Sequence, residues 1–181
     1  MKYFVILEKS FQQRQGMCGL ESMREALNTL GIKLSRKQAE KLAPFSARGI
    51  EHKQLISAIK KAGANVEEHY DLSEERSIAL LKKHSKANPI IIDWMKTKLS
   101  SEGNAKAAEG MKPGVETGKS RETIAEEENE HFSVITSIDD KYITLFDPLE
   151  PEPEKLLIKY FMDRWFTVSE KVKRWFIIVH K

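Results

Sequence analysis

Residues 97–130 hold only four of the larger apolar side chains, Leu99, Met111, Val115 and Ile124, among Lys, Ser, Glu, Gly, Asn, Ala and Thr. Such a stretch cannot bury enough surface to offset the entropy of ordering it. Inside a compact chain it reads as a long mobile loop with a functional use rather than as a second domain. It also divides the patterning of the chain. Before it, apolar residues recur mostly at the helical period; after it, they fall in short runs of strand length. That order predicts an α+β fold, an N-terminal helical part packed on a C-terminal antiparallel sheet. Residues 1–181 are read as one domain, with 97–130 as an insertion.

The helical block is legible in detail. Residues 1–10 suggest a short strand or extended arm, and 11–17 a polar loop. From Cys18, the positions Leu20, Met23, Ala26, Leu27 and Leu30 form one stripe of period 3.6, stopped by Gly31. Ser35 is placed to cap a second helix that ends near Leu42, before Pro44. Residues 51–62 make a third, with Leu55, Ile56 and Ile59 on one face. Residues 65–70 suit a short strand, and Ser73 caps a fourth helix to about His84. Residues 89–94 contain Ile90, Ile91 and Ile92 in succession, the signature of a strand covered on both faces. Beyond the insertion, 131–138 and 142–146 predict two strands joined by a turn at 139–141. Residues 155–165 predict a helix and 175–180 a last strand.

Composition excludes several classes. The chain has 181 residues, 40% of them apolar and 31% charged, which suits a soluble globular protein. A net charge of +3 without a basic block argues against a nucleic-acid partner. No run approaches the roughly 20 apolar residues of a membrane span, and the N-terminus carries no cleavage-site pattern. Cys18 is the single cysteine, so neither an internal disulfide nor a Cys-rich zinc site is available, and a reducing, cytoplasmic setting is expected. His52, His69, His84 and His180 lack ligand spacing and read as surface or internally satisfied histidines. Residues 113–120 imitate a phosphate loop, but Pro113 stands where its first glycine belongs and no strand precedes it, so nucleotide binding is rejected.

The chemistry gathers around Cys18. A cysteine in the first turn of a helix sits in the positive end of the helix dipole, which favours the thiolate. A nucleophile there needs a base on a rigid element. His131 opens an apolar strand, and Asp147 closes the neighbouring one sixteen residues later. Pairing of the two strands through their turn brings these residues together at one end of the sheet, the order of a Cys–His–Asp triad. Gln12, six residues before Cys18, is placed to donate to an oxyanion together with backbone N–H groups. Gln13 and Gln15 are its rivals, and Asn129 is a weaker alternative to Asp147, which also suits a plain turn before Pro148. The acidic run at 126–130 reads as a solvated loop end, with the further option of favouring an imidazolium at His131. Trp94 and Trp165 are expected in the core or in a groove wall.

The run Gln12, Gln13, Arg14, Gln15, Gly16, Met17, Cys18, Gly19, Leu20, with the apolar helix ending at Leu30 and Gly31, resembles the nucleophile segment of the bacteriocin-processing peptidases. These are papain-like cysteine peptidases that cut after double-glycine leaders. His131, Phe132, Ser133, Val134 and Ile135 are similar to that family's histidine strand, and Leu145, Phe146, Asp147 and Pro148 to its Asp–Pro turn. Phe161 and Trp165 resemble its aromatic helix, and residues 175–179 its last strand. The resemblance spans most of the chain outside 97–130. It implies a papain-like fold with Gln12 as oxyanion donor, Cys18 as nucleophile, His131 as base and Asp147 as orienter. It also implies hydrolysis of a peptide or protein substrate without a cofactor. The family often carries an acidic residue where this chain has Met17, and its members are often fused to transporters. Two other readings use the same residues: a binding module on an inactive peptidase fold, and an amide-modifying enzyme such as a deamidase or transglutaminase.

Overall fold

A computed structural model of the chain describes residues 16–44, 46, 49–97, 128–148, 150 and 152–181. The expected N-terminal arm, Gln12 with its rivals, and residues 98–127 of the insertion lie outside the described residues. The first helix, α1 (Cys18–Thr29), is followed by α2 (Arg36–Leu42), α3 (His52–Lys61), strand β1 (Asn65–His69) and α4 (Glu74–His84). Then come β2 (Ile90–Thr97), β3 (Glu128–Ile138), β4 (Tyr142–Phe146), β5 (Glu154–Leu157), α5 (Ile158–Arg164) and β6 (Phe176–His180). The fold is α+β. The six strands form one antiparallel sheet in the order β1-β6-β2-β3-β4-β5, and two of them, β1 and β2, come before the insertion.

Local chemistry sets the helix ends. The Ser35 side chain accepts from the Gln38 amide at 3.3 Å and the Gln38 side chain accepts from the Ser35 amide at 2.9 Å, a closed capping box on α2. Ser73 accepts from the Arg76 amide at 3.3 Å and starts α4. At the end of α1, Gly31 has φ of 81°, and the Gly31 and Ile32 amides return to Asn28 O and Leu27 O at 2.9 Å each. A side chain is strained in that left-handed turn, and glycine is not.

The sheet is covered on both faces. Leu20, Met23, Leu27, Leu55 and Ile59 from α1 and α3 pack on Ile91, Phe132, Val134, Ile177 and Val179. On the other face, Leu81 of α4 and Phe161 of α5 pack with Trp94 and Trp165 on Ile90, Ile92, Ile135, Leu145, Phe176 and Ile178. Successive residues of β2 and β6 therefore enter opposite cores, which is why these inner strands carry unbroken apolar runs. The edge strand β1 is polar and largely exposed.

Two expectations are corrected. Residues 155–165 do not form one helix: Lys155 and Leu156 pair with Thr144 and Ile143 as β5, and α5 starts only at Ile158. Pairing with β4 makes this an edge strand, and its Leu156 packs against the second core. The ends of the insertion are also ordered. Met95, Lys96 and Thr97 pair with Glu130, Asn129 and Glu128, so β2 and β3 extend three residues beyond the expected boundary. Ladder pairing and the burial of Met95 against Phe166 order this end. No helix among the described residues is long and apolar enough to cross a membrane.

Candidate active site

Cys18 is the first residue of α1, and it is half-buried against the first core. Met17 precedes it at the N-cap with its side chain buried in that core, and among the described residues no side chain caps the helix. The first-turn amides therefore remain as donors beside the thiol. Gly19 allows the helix start to approach the sheet: a Cβ there would collide with Ile50 and stand 3.1 Å from Phe132 Cδ2.

His131 does not open its strand as expected, because β3 already starts at Glu128; it lies opposite Trp94 of β2 and is 4% exposed. The β3–β4 register pairs Val134 with Phe146. One further step sets Asp147 opposite Ser133, two residues from His131 and on the same face of the sheet. Asp147 is 1% exposed, and its Oδ1 meets His131 Nε2 at 2.7 Å. The Cys18 side chain stands near enough to the imidazole to act on its ionisation together with Asp147. With Nε2 committed to the carboxylate, Nδ1 is the nitrogen left for the thiol.

The electrostatics favour charge on both partners. Burial works against a charged His131, but the hydrogen bonds to Asp147 and Cys18 and their charges outweigh it, and the imidazole pKa rises to about 10. Burial likewise opposes the Asp147 carboxylate. The hydrogen bond and charge of His131, with the charge of Lys96, bring it down to about 2. Lys96 had no part in the reading of the sequence. It stands on β2, 8% exposed, its ammonium bonded to Asp147 Oδ2 and to Glu150 Oε1 at 3.0 Å, with Glu154 Oε2 at 3.8 Å.

The structure brings together Cys18, His131 and Asp147. Gln12 and the side chain of Asn129 lie outside the described residues. The acidic run is not wholly solvated: Glu130 is half-buried and accepts hydrogen bonds from the Val168 and Ser169 amides and the Ser169 hydroxyl. Its backbone strand pairing and these three donors anchor it. The leading influences on His131 are its burial, then Asp147 and Cys18, rather than this run. Trp94 and Trp165 are core residues, with their indole N–H groups bonded to Ser133 Oγ and Trp175 O. His52 is internally satisfied: it bonds Asp93 at 2.8 Å and stacks on Trp175.

Solved structures share this architecture. A C39-like peptidase from Bacillus anthracis superposes with a TM-score of 0.61 at 18% identity, over 95% of this chain and 95% of that one. The chain has the papain-like peptidase fold. The peptidase domain of Streptococcus ComA, a bifunctional ABC transporter of a quorum-sensing pathway, gives 0.59 at 13% identity over 93% and 94% of the two chains. A double-glycine-motif protease from an AMS/PCAT transporter, solved with a leader peptide, gives 0.59 at 15% identity over 99% and 92%. No family model matches the sequence, and no curated protein does. The likeness is therefore one of fold.

Proposed function

We propose that this chain is a cysteine peptidase acting on a peptide or protein through Cys18, His131 and Asp147, with Gln12 as an oxyanion donor. The observation that carries this reading is the line from the helix-terminal thiol to a buried imidazole and on to a buried carboxylate. The three groups are ordered as nucleophile, base and orienter. A peptide substrate that ends its leader in two glycines is favoured by the fold shared with a protease solved on its leader peptide.

The chemistry follows from the geometry. The Cys18 thiolate attacks the scissile carbonyl carbon, forming a C–S bond and moving an electron pair onto oxygen. First-turn amides of α1 and the Gln12 side chain donate hydrogen bonds to that oxyanion, each donor contributing about 3 kcal/mol. The His131 imidazolium gives its proton to the leaving nitrogen as the C–N bond breaks. The neutral imidazole then takes a proton from water, whose oxygen displaces the thiolate and releases the acid. An amine in place of water would give transfer rather than hydrolysis.

The test is the pH dependence of iodoacetamide labelling at Cys18 in wild type and His131→Ala, followed by cleavage of peptides with and without a Gly-Gly step. Fast labelling well below pH 8 that disappears in His131→Ala, with Cys18-dependent cleavage, is the expected result. A thiol that titrates near its ordinary value of about 8.5 in both proteins would favour a binding module on this fold.

A further inference from the structure

We propose that Lys96 is a positioning residue for this site: its ammonium holds the second carboxylate oxygen of Asp147, keeping that carboxylate aimed at His131 while the imidazole changes charge. The inference rests on the cysteine-peptidase reading and deepens it.

Strand geometry puts Lys96 there. Trp94 is the register partner of His131, and Lys96 lies two residues further along β2, so it projects on the same side of the sheet. Lysine is rarely buried unless paired. Here the ammonium meets Asp147 Oδ2, Glu150 Oε1 and Glu154 Oε2, while Asp147 Oδ1 is used by His131. The orienting carboxylate thus lies between two cations, one on each oxygen. Only one of them lasts through the reaction. When His131 has given its proton to the leaving amine, Asp147 faces a neutral ring, and a buried carboxylate without a counter-charge is unstable. It would then take up a proton or turn away, and the imidazole would lose its orientation before water attacks. Lys96 supplies the charge that prevents this.

The groups facing this cluster are Cys18 from α1, Asp93 on β2 with its partner His52, and Glu130 beside His131 on β3. Glu150 after β4 and Glu154 on β5 complete the set. To these Lys96 adds a fixed cation bonded to Asp147. Removing a cation makes every neighbouring group hold its proton more tightly.

The experiment follows two titrations in the full chain: the His131 ring by NMR with labelled histidine, assigned by its loss in His131→Ala, and Cys18 labelling by iodoacetamide. In Lys96→Met both are expected to move toward alkaline pH by about one unit, and Lys96→Arg is expected to restore them. Glu150→Gln leaves the ammonium more fully to Asp147 and removes an anion, so both titrations move the other way. That variant serves equally if Lys96→Met does not fold. A purely structural lysine would lower the melting temperature and leave both titrations in place, which overturns the proposal while the activated thiol stands. An ordinary Cys18 titration in wild type overturns the peptidase reading and the Lys96 proposal together.

Discussion

Asp147 presents Oδ1 to His131 and Oδ2 to Lys96. The two contacts have opposite effects on the imidazole. The carboxylate stabilises the imidazolium, and the ammonium behind it moderates that effect while preventing Asp147 from turning or becoming neutral. Asp147→Asn removes the anion and keeps the shape. His131 is then expected to titrate about one to three units lower than in wild type, the reverse of the shift expected for Lys96→Met. An unchanged His131 titration in Asp147→Asn by histidine NMR would show that the carboxylate only shapes the turn before Pro148. The three members of the line were legible in the sequence for a physical reason. A thiol at a helix start, and an imidazole and a carboxylate in adjoining strands joined by a short turn, are placed by local rules that act over a few residues. Lys96 was not legible. Its anionic partners lie 51, 54 and 58 residues onward, across the insertion, and nothing in the alternation of β2 marks which polar residue will be buried.

At the scale of elements, the position of Cys18 depends on how closely α1 lies on the sheet. Gly19 sets that distance, because any side chain there meets Ile50 and Phe132. Gly19→Ala has a second effect of opposite sign, since alanine favours the helix by up to about 1 kcal/mol. The collision involves a side chain of the loop before α3 and a ring of β3, both buried in the first core, and overpacking of this kind costs typically 1–3 kcal/mol. Destabilisation is therefore expected on balance, read as a lower urea midpoint with an unchanged slope. Because the same shift carries the thiol away from His131, slower Cys18 labelling at neutral pH should accompany it. A variant as stable and as reactive as wild type would show that α1 is free to lift from the sheet. Elements with strong local signals, the helix cap at Ser35 and the glycine stop at Gly31, were predictable from sequence. The strand at Glu154–Leu157 was not, since four residues fit the end of a helix and an edge strand alike, and pairing with β4 decides between them.

Across the whole molecule, the sheet carries helices on both faces, and several ionisable groups are taken out of water with it. Their linkage gives a sign to stability against pH. His131 is raised from 6.5 to about 10, burial being outweighed by Asp147 and Cys18. Its contribution is fully present below its unfolded value and is lost as pH rises from 6.5 toward 10. Glu25 is raised from 4.5 to about 7 by burial, with Arg24 opposing. The folded chain binds that proton more tightly, so stability falls as pH rises from 4.5 to 7. Asp147 runs the other way. Burial opposes its charge, but His131 and Lys96 lower it to about 2, so its contribution is present above 3.8 and lost as pH falls toward 2. The windows overlap in only one region, and these groups together place the greatest stability between about pH 4 and 5. Above it the free energy of unfolding should decline to about pH 10, with a slope of at most about 1.4 kcal/mol per pH unit for each proton involved. Urea unfolding at pH steps from 3 to 10 measures the curve. His131→Ala should flatten it between 6.5 and 10 and also weaken the acid side, since His131 is the chief group lowering Asp147, whereas Glu25→Gln should flatten it between 4.5 and 7 and leave the acid side to Asp147. A wild-type maximum near pH 8 would mean that the buried imidazole is neutral in the folded chain, and the thiolate at Cys18 would then have no partner in charge.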